Sequence, residues 1–182
     1  MIIASQNKKS VITKEKLTDA LFLLMEKEAF SDITILQITQ YANVSRSAFY
    51  RNYESKEDII RYSVQNKVTE FMKHIEHDSE KILFDEMAFW NLWVNEKKYF
   101  QLLHKNDLIN IFINEYQQNI SQYVGKITGT QNPYYDYLAA CMSYGTIAIL
   151  DVWLQHGCKE NKRELLKTIE KLRESMMKKQ IE

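Results

Sequence analysis

With 182 residues, of which 45% are apolar, the chain is long enough for one large domain or for a small domain joined to a larger one. A single proline and four glycines leave few residues that turn or end secondary structure, which predicts long helices and argues against a sheet. Because 24 basic residues balance 24 acidic ones, overall charge does not indicate a nucleic-acid partner, and such a site would depend on local placement.

The sequence has no feature of export or of a membrane span. Its apolar start at residues 1–4 is too short for a signal peptide, and no run of about 18 consecutive apolar residues occurs. Cys141 and Cys158 lack the spacing of metal ligands and are expected to be free thiols. We therefore expect a cytoplasmic protein that needs no metal or cofactor.

Three short helices are predicted near the N-terminus. Helical periodicity begins at Thr13, which is expected to cap the first helix after a polar segment that frays. Thr34 and Gln37 have the spacing of a capping box that opens a second helix. Asn43 tolerates left-handed backbone and is expected to end it. A third helix, capped by Ser45, then spans roughly residues 45–52.

Six further helices are predicted after these three, which makes about nine in an all-α protein. The fourth opens at the Ser-Lys-Glu-Asp segment 55–58 and connects a small N-terminal domain at residues 1–55 with a larger domain at residues 56–182. The remaining predicted helices span residues 79–95, 96–105, 107–127, 134–156 and 160–178.

Residues 34–53 have the proportions of a helix-turn-helix, whose second helix lies in the major groove of DNA. The outer face of that helix carries Arg46 and Arg51, two of only five arginines in the chain. Arginine binds guanine O6 and N7, and asparagine, present here as Asn52, binds adenine N6 and N7. A solvated face on a small helical bundle is the alternative explanation of the same pattern.

The sequence between residues 33 and 60 also contains a set of family motifs. It has an Ala-Asn-Val-Ser turn at 42–45, a Phe-Tyr pair at 49–50, an aromatic residue at 53 and Ser-Lys-Glu at 55–57. With these motifs the segment of about residues 10–62 resembles the TetR family of bacterial transcriptional regulators. It departs from the family pattern at Asn43, where glycine is usual, and at Tyr53, where phenylalanine is common.

The resemblance implies a homodimeric regulator that binds double-stranded operator DNA and has no enzymatic activity. It implies two sets of DNA-facing positions. Those implied to face bases are Gln37, Arg46, Ser47, Arg51 and Asn52. Those implied to face phosphates are Thr34, Ser45, Tyr50 and Lys56.

The C-terminal part carries a second resemblance. Residues 134–170, with Ser-Tyr-Gly at 143–145, Trp-Leu at 153–154 and Gly157, look like the C-terminal domain of Firmicutes TetR-type regulators. Such domains dimerise through their last two long helices and often enclose a ligand pocket. The dimer interface is accordingly predicted at Tyr137, Cys141, Tyr144, Ala148, Leu165, Ile169 and Leu172.

Aromatic residues are dense between residues 84 and 144, which predicts an apolar pocket, although plain helical core is the alternative for each of them. The residues predicted to line the pocket are Phe84, Trp90, Trp93, Phe100, Phe112 and Tyr116.

The preferred function is a repressor that a small apolar ligand releases from DNA by tilting the fourth helix. One alternative is a regulator of the same type that binds a protein partner and acts as an activator. The other is a helical enzyme or ligand carrier without DNA function.

Overall fold

The computed structural model describes residues 2–77, 90, 93–128 and 133–178, and these residues form helices and turns without a strand. The predicted all-α architecture is confirmed, and no described helix is long and apolar enough to cross a membrane. A 3-10 turn at Val94–Glu96 precedes the fifth α-helix. The α-helices of the described ranges are α1 (Ile2–Met25), α2 (Ile35–Tyr41), α3 (Arg46–Tyr50), α4 (Lys56–His77), α5 (Lys97–Lys105), α6 (Ile109–Thr128), α7 (Pro133–Gln155) and α8 (Lys162–Lys178).

The first helix begins earlier than the sequence predicted. It starts at Ile2, so Thr13 lies inside it, where its hydroxyl donates to the Lys9 carbonyl at 2.9 Å and caps nothing. A mid-helix threonine often makes this bond to the carbonyl four residues back. Apolar periodicity did not extend the helix back past Thr13, where Val11 and Ile12 are both exposed and outside the core. The predictions of a cap at Thr13 and of a frayed segment before it were wrong.

The predicted turn between α2 and α3 is confirmed. The Gln37 amide donates to the Thr34 hydroxyl at 3.2 Å, and the Gln37 side-chain oxygen accepts from the Thr34 amide at 2.8 Å, which completes the capping box. Asn43 has a φ of 51°, in the left-handed region that asparagine tolerates best after glycine. Ser45 caps α3 by accepting from the Ala48 amide at 3.2 Å.

The N-terminal helices pack around one apolar core. Helix α1 contacts α2, α3 and α4, and its buried face begins at Leu17. Phe49, the inward residue of α3, is fully buried, as is Ile38 of α2. This core fixes the rotation of α3 about its axis, because Phe49 must point inward and the residues flanking it in sequence must therefore point outward.

The connecting helix α4 starts at a strongly capped end. The Asp58 carboxylate accepts from the amides of Ser55 at 2.9 Å and Glu54 at 3.1 Å. Partial burial alone would raise the pKa of Asp58, but those amides together with Arg61 outweigh burial and hold the pKa below its usual value. Farther along, α4 packs on α6, which in turn packs on α7.

Four of the residues that the sequence predicted to line a pocket form an aromatic cluster. Phe112 lies 4.9 Å from Phe100, 5.2 Å from Trp93 and 5.9 Å from Tyr116, measured between ring centroids, and the first two contacts are edge-to-face. All four side chains are buried. Such contacts are those of helical core, the alternative that the sequence left open. Trp90 is also buried, with its ring 6.1 Å from that of Trp153. Phe84 lies outside the described residues.

Candidate nucleic-acid interface

The outer face of α3 presents four exposed side chains, those of Arg46, Ser47, Tyr50 and Arg51. Arg46 and Tyr50 are one turn apart, as are Ser47 and Arg51, so the four residues form one continuous exposed surface. The segment 33–53 around them contains two arginines and no acidic residue, although the whole chain is neutral. The helix thus exposes a locally cationic, hydrogen-bonding surface of the size that enters a DNA major groove.

Asn52, predicted to face a base, is engaged inside the protein. Its Nδ2 donates to the Ala48 carbonyl at 2.7 Å, and its Oδ1 accepts from the Ser10 hydroxyl at 2.6 Å. An asparagine that binds adenine bidentately uses the same donor and acceptor pair. In this structure Asn52 closes the end of α3 and joins it to α1, and its contact with a base stays a prediction.

Gln37 and Thr34 are also occupied by internal partners. The Gln37 Oε1 accepts from both the amide and the hydroxyl of Thr34, while its Nε2 lies 3.2 Å from the Glu28 carboxylate and donates to it. This network holds the start of α2 against the end of α1. Gln37 and Thr34 thus have structural roles at the start of α2, and their contacts with a base and a phosphate stay predictions. Ser45 also serves as a cap but stays exposed.

Lys56 departs most from its predicted role. Its ammonium donates to the carbonyls of Phe30 at 2.6 Å, Ile33 at 2.8 Å and Ser31 at 3.0 Å, and it lies 4.5 Å from the Phe30 ring centroid. A lysine ammonium has three donors, and all three are used here. Lys56 therefore ties the α1–α2 connection to the start of α4 in this structure, and its contact with a phosphate stays a prediction.

The same connection is held from the C-terminal part of the chain. The Phe30 amide donates to Asn106 Oδ1 at 2.8 Å, and Asn106 Nδ2 donates to the Leu102 carbonyl at 2.8 Å. Asn106 follows α5, and the next residue, Asp107, has a φ of 59° that turns the chain into α6. Nothing in the sequence pattern indicated this link, because its partners are 76 residues apart.

A second surface lies on α7. Five of its side chains are exposed along one face: Tyr137, Cys141, Tyr144, Ala148 and Val152.

Three of the predicted interface residues lie on α8, where they divide into two groups. Leu172 is exposed, whereas Leu165 and Ile169 are buried beside Trp153 of α7, in a cleft of about 340 Å³ between the two helices. Leu165 and Ile169 thus belong to the protomer's own core and not to the predicted interface.

Comparison with known proteins agrees with this geometry. Residues 17–62 match the family described as bacterial regulatory proteins, tetR family, and residues 87–175 match a transcriptional regulator C-terminal region. The chain belongs to the TetR family. Members of this family are DNA-binding regulators and not enzymes, in agreement with the expected absence of enzymatic activity.

Two curated relatives match part of the chain. One is the uncharacterized HTH-type transcriptional regulator YxbF of Bacillus subtilis (strain 168), 34% identical over 70 residues, which are 38% of this chain and 18% of that protein. The other is the HTH-type dhaKLM operon transcriptional activator DhaS of Lactococcus lactis subsp. lactis (strain IL1403), 29% identical over 65 residues, or 36% of this chain and 35% of DhaS. The matched segment therefore covers well under two thirds of either relative.

Proposed function

We propose that this TetR-type protein is a cytoplasmic, sequence-specific regulator that binds double-stranded operator DNA as a homodimer. The proposal depends on the surface of α3. Buried Phe49 fixes the orientation of this helix, and its exposed face is cationic and lies in a segment without carboxylates. In a helix-turn-helix the N-terminal residues of this helix contact base edges. Arg46 and Ser47 are those residues here. Tyr50 and Ser45, both exposed, are the proposed donors to phosphate oxygens.

Arg46→Ala is expected to reduce the preference for the operator over random-sequence duplex by about 1–3 kcal/mol, because a bidentate arginine–guanine contact supplies discrimination of that size. The operator would be selected from a random duplex library by the purified wild-type protein, and both affinities measured by fluorescence anisotropy at fixed salt. Arg163→Ala, at an exposed arginine in the first turn of α8, is the matched control. If Arg46→Ala weakens operator and random duplex equally, Arg46 does not contact a base.

The homodimer is proposed to form through α7 and α8. Tyr137 and Tyr144 are 74% and 63% exposed on the open face of α7, and Leu172 of α8 is 47% exposed. Large apolar side chains lined up on one face are typical of an interface. A two-fold dimer would place two α3 helices at a fixed separation, and binding both half-sites of an operator depends on that separation.

Tyr144→Glu is expected to produce monomers at micromolar concentration, because two-fold symmetry would place a pair of carboxylates in an apolar contact. Sedimentation velocity would show the change, and operator affinity should fall with it. Leu23→Glu makes the same kind of change at an exposed apolar residue of α1, and that variant should stay dimeric. A Tyr144→Glu protein that sediments as a stable dimer would place the interface elsewhere.

Two modes of control are open to such a regulator. In the first mode the C-terminal domain binds a protein partner and the regulator acts as an activator. The mutual packing of Phe100, Phe112 and Trp93 favours this mode, because rings packed on one another leave less room for a ligand. DhaS, matched at low identity, is also named as an activator. The alternative is a repressor released by a small apolar ligand. A reporter fused to the selected operator decides the sign, because removing an activator lowers expression and removing a repressor raises it. Release of the protein from that operator by one of a panel of apolar compounds would establish the ligand-controlled mode.

A further inference from the structure

Part of the N-terminal half of α1 lies beside the C-terminal end of α3. It forms one wall of a groove of about 470 Å³, which we call the N-terminal groove. Its α1 wall consists of Lys9, Ser10 and Thr13. Its opposite wall consists of Ala48 of α3 with Arg51 and Asn52, which follow that helix.

The chemistry of this groove suits an anion. Lys9 and Arg51 are both exposed and line it together, and none of the residues that line it is acidic. Two cations held in one groove repel each other, and an anion between them removes that repulsion. Lysine and arginine are also the side chains that most often donate to DNA phosphate oxygens.

Asn52 holds the groove in shape. Its bond to the Ala48 carbonyl closes the end of α3, and its bond from the Ser10 hydroxyl fixes α1 to that end across 42 residues of sequence. The Ser10–Asn52 hydrogen bond therefore helps to set the positions of Lys9 and Arg51 relative to each other. Arg51 also lies at the C-terminal end of α3, away from the N-terminal residues that contact base edges in a helix-turn-helix.

We propose that the N-terminal groove binds a backbone phosphate of duplex DNA beside the half-site that α3 contacts, with Lys9 and Arg51 as its cationic donors. Asn52 is then a positioning residue and Arg51 a phosphate ligand. This inference rests on the proposed function, since it requires α3 to lie in the major groove. It extends the DNA-contacting surface from the helix-turn-helix onto the first turns of α1.

Salt dependence of DNA binding tests the proposal. Lys9→Ala should reduce the slope of log affinity against log salt concentration by about one per protomer. It should also weaken the selected operator and a random-sequence duplex by the same factor, because a phosphate contact carries no sequence information. Lys159→Ala removes an exposed lysine between α7 and α8 and should leave the slope unchanged.

Substitutions at Ser10 and Arg51 test the remaining parts. Ser10→Ala should lower the affinity for both duplexes, and Ser10→Thr, which keeps the hydroxyl, should restore it. Arg51→Ala should lower the slope as Lys9→Ala does. If the wild type binds its operator and Lys9→Ala leaves the slope unchanged, or if Arg51→Ala relaxes the preference at one base pair, the groove is not a phosphate site and the proposed function stands. If the wild-type protein selects no duplex at all, both proposals fail.

Discussion

Phe112→Ala is expected to lower the free energy of unfolding by about 3–5 kcal/mol, the range for removal of a large aromatic side chain from a packed core. Phe112 is fully buried, and its ring meets those of Phe100, Trp93 and Tyr116. Alanine would remove these contacts and leave a void that helices joined through several other rings can close only in part. Urea denaturation at a fixed protomer concentration measures the loss, because dimerisation makes the midpoint depend on concentration.

Tyr50→Ala is the control for this experiment, since Tyr50 is 53% exposed and its removal should change stability by less than about 0.5 kcal/mol. A loss below about 1.5 kcal/mol for Phe112→Ala would mean that the Phe112 ring has few partners and lines an open space. That result would support the apolar ligand pocket that the sequence predicted.

The second large effect is expected at Lys56. Lys56→Met keeps the apolar part of the side chain and removes the ammonium, so three loop carbonyls lose a charged donor. Hydrogen bonds to a charged group contribute about 1.5–3 kcal/mol each, and water can replace part of that because Ser31 is exposed. We expect a net loss of about 2–3 kcal/mol in the free energy of unfolding, while the salt dependence of operator binding stays unchanged.

The opposite pattern would restore the role that the family resemblance implies for Lys56. In that case stability would be retained and the salt slope would fall by about one per protomer. Lys105→Met is a matched control, because Lys105 is an exposed lysine that lines the same crevice of about 510 Å³ as Lys56. It should alter neither stability nor slope.

The sequence predicted best the features that depend on neighbouring residues. The capping box at Thr34 and Gln37, the left-handed turn at Asn43 and the cap at Ser45 each need only a few consecutive residues, and the structure confirms all three. The start of α1 was missed although it is equally local, because Val11 and Ile12 before Thr13 are exposed and do not continue the apolar period of the core face.

The partners of polar side chains were not predictable from the sequence. Asn52 and Lys56 occupy positions that family resemblance assigns to DNA, yet their partners in the fold lie 42 and 23–26 residues away. A motif specifies the type of side chain at a position, and tertiary packing decides whether its hydrogen-bonding groups face solvent or the protein. Residue type alone therefore assigned Arg46 and Asn52 to the same surface, although only Arg46 is exposed.

Helical periodicity had a similar limit on α8. Leu165, Ile169 and Leu172 recur at helical spacing and were predicted as one interface, but the first two are buried in the protomer and the third is exposed. An apolar stripe shows that a helix face avoids water. It does not show whether another helix of the same protomer covers the whole face, or whether that helix and a partner protomer each cover part of it.

Phe30 is held at both of its backbone polar groups, and this has a mechanical consequence. Its amide donates a hydrogen bond to Asn106 of the C-terminal part, and its carbonyl accepts one from Lys56, the first residue of α4. A hydrogen bond tolerates a change in length of only about half an ångström. A larger displacement of the α5–α6 turn must therefore either break the hydrogen bond between the Phe30 amide and Asn106 or move the α1–α2 connection by a similar distance. Strain from the C-terminal part thus has a path to the helices of the proposed DNA interface that does not run along the length of α4.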